Sequence, residues 1–74
     1  MQCYLTQPGH ITLKIYNTRG GLVATLADGE YPQGSSIFYW SGVDKDTSPV
    51  GSGIYIVHMK SGGFSGTKKI VIVK

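Results

Sequence analysis

A chain of 74 residues, 41% hydrophobic and 15% charged with eleven glycines, suits one small folded domain and excludes both a second core and intrinsic disorder. So short a chain buries only about 60% of the surface its unfolded form exposes, which leaves few apolar residues to build a deep catalytic pocket. The formal charge of +3 comes from Lys and Arg spread one or two at a time, not gathered into the roughly 6 to 10 phosphate contacts of a strong DNA binder, so no nucleic-acid partner is expected.

In chain order, Gln2 to Thr6 is a short β-type run closed by the turn residues Gln7-Pro8-Gly9. His10 to Tyr16 alternates Ile11, Leu13 and Ile15 with Thr12, Lys14 and Tyr16, the period-two pattern of a strand with one buried face. Asn17-Thr18-Arg19-Gly20-Gly21 turns the chain into a second apolar segment, Leu22 to Ala27, and the two segments read as a hairpin. A loop is expected over 28–34. Ser35 to Trp40 follows as an aromatic strand, with Phe38 and Trp40 on one face and Ile37 and Tyr39 on the other. The polar stretch SGVDKDTSPVGSG, residues 41–53, is the longest connection. Gly53 to Ser61 is the next strand, and Gly62-Gly63 turns into a last strand, Phe64 to Val73, whose run Ile70-Val71-Ile72-Val73 suggests burial on both faces.

No stretch keeps a helical apolar period, and no apolar run approaches the roughly 20 residues of a membrane span. Six to seven short strands joined by turns predict an all-β fold, a small antiparallel Ig-like β-sandwich over residues 2–74 with Met1 outside it. Alternation assigns Leu13, Ile15, Val23, Leu26, Phe38, Trp40, Tyr55 and Val57 to one core. Met1-Gln2-Cys3 lacks the basic and apolar regions of a signal peptide, so an exported parent would carry its signal elsewhere.

Candidate chemistry is sparse. Asp44, Asp46 and Ser48 imitate the first ligand positions of a calcium loop, but Pro49 stands where that loop needs Gly and Tyr55 where it needs a bidentate Glu, so an Asx-type turn is the better reading. Cys3, His10 and His58 lack the close spacing of a zinc site. No metal, cofactor or catalytic residue is expected. Trp40, Tyr31 and Tyr39 are the candidates for a sugar-stacking platform, although alternation turns Trp40 inward.

Read as one string, several short motifs recur in a fixed order. They are Tyr4-Leu5, Pro8-Gly9-His10, Ile11 to Asn17, Leu22 to Leu26, Asp28-Gly29, Trp40 to Asp44, Gly53-Ile54-Tyr55, and Gly62-Gly63-Phe64 with Thr67 to Val71. Their order and spacing resemble the small Ig-like domain of the flagellar hook-capping protein, and still more the related C-terminal modules of secreted bacterial proteins, including type IX secretion sorting domains. Those relatives usually carry Asp directly after the Trp and Gly in the following loop, where this chain has Ser41 and Thr47.

The resemblance implies a non-enzymatic accessory domain of an exported bacterial protein, extracellular or at the cell surface, that serves in sorting, anchoring or spacing. A carbohydrate-binding module and a subunit that self-assembles through its sheet edges are the alternatives. Thr67, Lys68, Lys69 and Lys74 are then the expected interaction strand, with Ile70 and Ile72 packed inward. The implied partners are secretion machinery or a surface component, neighbouring domains of a larger parent, or a second copy joined by edge pairing.

Overall fold

A computed structural model describes residues 2–73. It contains six strands: β1 (Gln2–Leu5), β2 (Gly9–Asn17), β3 (Leu22–Tyr31), β4 (Gly34–Ile37), β5 (Gly53–Ser61) and β6 (Phe64–Ile72). They form two antiparallel sheets, a four-stranded one in the order β3-β2-β5-β6 and a two-stranded one made of β1 and β4. The architecture is a small all-β, Ig-like sandwich. Among the described residues no helix is long and apolar enough to cross a membrane.

The alternation along β2 decides where the core lies. Ile11, Leu13 and Ile15 have no exposed surface, and Cys3 and Leu5 of the small sheet, Ala24 and Ala27 of β3, and Val57 of β5 complete the buried cluster. Of the residues assigned to the core from alternation, Leu13, Ile15 and Val57 are buried, whereas Val23, Leu26, Phe38, Trp40 and Tyr55 are partly buried and pack against that cluster. Ile11 joins them as the alternation along β2 requires, and Cys3, Leu5, Ala24 and Ala27 belong to the core as well, though alternation did not assign them to it.

Two irregularities in β3 explain how Val23 and Leu26, three residues apart, both reach the core. The register against β2 shifts between Leu13 and Lys14 and again between Ile15 and Tyr16, so Leu26 and Val23 are the extra residues that pair with nothing across the ladder. Each such bulge interrupts the strict two-residue alternation. One consequence is that the edge of β3 does not stay bare: the carbonyl of Val23 accepts the backbone N–H of Lys45 at 2.8 Å, which ties the long loop to the sheet.

Three sequence expectations are corrected. Residues 28–31 are not loop but the end of β3, where Asp28, Gly29 and Glu30 pair with Thr12, Ile11 and His10; an edge strand tolerates these residues because their side chains reach water. The strand expected over 35–40 stops at Ile37, opposite Gln2, where β1 begins. The run 70–73 is not buried on both faces: β6 is an edge strand covered on one side at most, and Val71 and Val73 are 64% and 86% exposed.

The loop between β4 and β5 is folded on itself. Val43 bridges Pro49, Val50 N–H donates to Gly42 O at 2.9 Å, and Tyr55 Oη reaches back to donate to Gly51 O at 2.8 Å. A Tyr near the start of a strand whose hydroxyl bonds to the backbone just upstream is a recurrent corner of Ig-type sandwiches.

Candidate functional site

The candidate interaction strand is β6, whose placement follows from its pairing with β5. Val57 faces Lys68, His58 faces Thr67, Ile56 faces Lys69 and Tyr55 faces Ile70. Residues in register share a face, so Lys68 and Ile70 lie on the side of Val57, toward the second sheet, while Thr67, Lys69 and Val71 lie on the outer face. The two lysines therefore project from opposite sides of one edge. Thr67, Lys68 and Lys69 are all exposed, and Ile70 packs against the core. Lys74, the fourth residue of the expected set, lies outside the described residues.

The other candidate residues are already engaged in structure. Trp40 Nε1 donates to Val43 O at 2.8 Å, and the indole meets the Tyr55 ring edge-on with centroids 5.4 Å apart. Tyr31 makes a similar edge contact with Phe38 at 5.3 Å, whereas Tyr39 is 84% exposed. Of the three rings considered for a sugar platform, Trp40 and Tyr31 are thus partly buried against the core and Tyr39 is exposed. Asp44 Oδ1 accepts the backbone N–H groups of Asp46 and Ser48 at 2.9 and 3.0 Å, which is Asx-turn geometry. His10 Nε2 lies 2.8 Å from Asp28 Oδ1, and its other ring nitrogen lies 3.6 Å from Glu30, an exposed cluster on the β2–β3 hairpin. Among the described residues no group of three His, Cys, Asp or Glu side chains is placed to hold a metal ion.

With this geometry established, comparison with known proteins adds one finding. The model of the FlgD Ig-like domain family matches residues 1–63. The chain belongs to the FlgD Ig-like domain family. The matched span takes in β1 to β5 and ends at the turn before β6, so Thr67, Lys68 and Lys69 lie beyond it. No curated protein and no solved structure gives a significant match.

The clefts are shallow features of the open sandwich. One, about 530 Å³, runs along β1 and the following turn to the β5–β6 hairpin, and includes Cys3, Leu5, Met59 and Phe64 in its lining. A second of about 260 Å³ continues it, between Gln2 and the inner face of β5 and β6 at Val57, Met59, Gly66 and Lys68. Nothing in the sequence pattern marks this groove, because it lies between strands that are distant along the chain.

Proposed function

We propose that this chain is a non-enzymatic accessory domain of an exported bacterial protein, acting outside the cell or at its surface as an attachment module for secretion sorting, anchoring or spacing. The observation that carries this reading is β6: a nine-residue edge strand with exposed Val71 on its outer face and lysines on both faces. An unpaired edge offers a row of backbone donors and acceptors, and the lysine pattern adds side chains that a receptor can read. Membership in a family of structural Ig-like domains supports attachment over catalysis.

The test fuses residues 2–74 to an export-competent reporter in a bacterium with type IX secretion. One variant removes residues 67–74 and another, which leaves the backbone intact, reverses both charges with Lys68→Glu and Lys69→Glu. Loss of surface delivery in both variants supports sorting. Equal delivery by all three proteins, with the charge-reversed domain shown to be folded, removes sorting and leaves spacing or assembly.

A second reading has its own observation. The four-stranded sheet carries acidic Asp28 and Glu30 on one edge strand, β3, and basic Lys68 and Lys69 on the other, β6, so copies can join head to tail by edge pairing. Light scattering against concentration tests it: a mass that stays monomeric at high concentration and low salt rejects this assembly.

A further inference from the structure

The two sheets of the sandwich are unequal. Four strands form one layer and two the other, and β1 is paired on one side only, with β4. The clefts show which way its other edge faces: they run from β1 to Met59, Phe64, Gly66 and Lys68, so the free edge of β1 overlooks the inner face of β5 and β6. Among the described residues no strand lies over that part of the inner face, where Met59 is partly buried against the core and Phe64 is exposed. Phe64 lies in register with Ser61 and on the side of Met59 and Val57, yet it is 61% exposed. Its ring lies along the strand over Gly66, where a Cβ would come within 3.3 Å of Phe64 Cζ. An aromatic ring laid over a strand glycine covers backbone that would otherwise be bare.

We propose that this groove binds one further strand in trans, an extended segment of a partner protein. The segment hydrogen-bonds to the free edge of β1, presents alternate apolar side chains to Met59 and Phe64, and presents a carboxylate to Lys68. Three features define that chemistry. The free edge of β1 supplies main-chain partners to an extended peptide. The uncovered floor is apolar at Met59, Phe64 and Gly66, and alternate side chains of an added strand point at it. Among the described residues Lys68 is the only charged side chain lining either cleft, which selects an acidic residue opposite it.

A second copy of this chain does not offer such a strand. Its four acidic residues are Asp28, Glu30, Asp44 and Asp46. The first two lie side by side with Thr25 on one polar face of β3, not between alternating apolar residues, and the others sit in the self-bonded loop. The occupant is therefore a different sequence. Both readings use Lys68, and they are told apart by Lys69, which faces away from this groove, and by whether β1 or β6 is the strand that gains protection.

The probe is a panel of synthetic nine-residue peptides with valine at alternate positions, threonine between them, and glutamate at each valine position in turn. Hydrogen exchange of the 74-residue chain is followed amide by amide as each peptide is added. At least one peptide should slow exchange in β1 and shift the Phe64 ring resonances. Lys68→Glu should weaken that peptide about five- to tenfold and favour its lysine counterpart, whereas Lys69→Glu, on the opposite face, should change affinity less than about twofold. Protection confined to β3 or β6, no protection with any peptide, or equal effects of the two charge reversals would overturn the proposal. Protection of β1 that grows with protein concentration in the absence of peptide would overturn it in favour of a second copy.

Discussion

Trp40 and Tyr55 meet edge to face at 5.4 Å and 69°, and each gives its single polar hydrogen to the same loop, Trp40 Nε1 to Val43 O and Tyr55 Oη to Gly51 O. The pair thus closes one end of the core and fastens the β4–β5 connection with the same two side chains. Truncation by Trp40→Ala removes the ring contact, its burial and the bond to Val43, and should cost about 3 kcal/mol, a large share of the stability of so small a domain. Tyr55→Phe keeps the ring and removes only the hydroxyl bond, for about 1 kcal/mol or less. Chemical denaturation of the two variants checks the ratio; equal losses would place the energy in the hydrogen bonds and not in the packing.

Thr47 adopts a φ of 61°, the left-handed region that a β-branched residue enters at a cost of about 1 to 2 kcal/mol. Its N–H donates to Asp44 O at 3.0 Å, which holds the turn in place despite that cost. Thr47→Gly should therefore stabilise the domain by about 0.5 to 1 kcal/mol after the extra chain entropy of glycine, and raise Tm by a few degrees. A lower Tm would mean that the Thr47 hydroxyl, bonded to Asp46 O, outweighs the backbone strain.

Asn17 organises the β2–β3 turn. Its Oδ1 accepts the backbone N–H groups of Arg19 and Gly21 at 3.0 and 2.8 Å, while a Cβ on Gly21 would approach its Nδ2 to 3.0 Å. Asn17→Ala should destabilise by about 1 kcal/mol through two lost bonds at an exposed turn. Gly21→Ala should also destabilise, but less when Asn17 is already alanine, because the crowding is then gone. A double-mutant cycle reads this coupling, and additive losses would refute it.

Leu13 and Ala27 face each other across the β2–β3 ladder, both buried, one large and one small. Leu13→Ala should cost about 3 to 4 kcal/mol by leaving a cavity, and Ala27→Leu about 1 to 3 kcal/mol by overpacking the same site. The double exchange conserves volume and should be less damaging than the sum of its parts, measured by thermal unfolding.

How much of this was legible in the sequence differs from element to element. The buried stripe Ile11, Leu13, Ile15 is written directly in β2 as strict alternation, because a strand covered on one face imposes a two-residue period. The strands β5 and β6 and their Gly62-Gly63 turn are equally readable. The resemblance to the flagellar hook-capping Ig-like domain was also legible, since it rests on the order of turn residues and aromatics along the chain. The Asp28-Gly29-Glu30 stretch misled because loop composition and an exposed strand edge draw on the same residue types, and only pairing with Thr12, Ile11 and His10 tells them apart.

By itself, then, the sequence determined the all-β class, the hairpins and the inward stripe of the central strand, since these follow from local period and turn chemistry. Tertiary structure alone decided the rest. The bulges that bring both Val23 and Leu26 inward, the exposure of Val71 at an edge and the uncovered strip from Met59 to Lys68 all depend on which strand lies beside which. That choice is made by contacts between residues distant along the chain, and no local pattern encodes it.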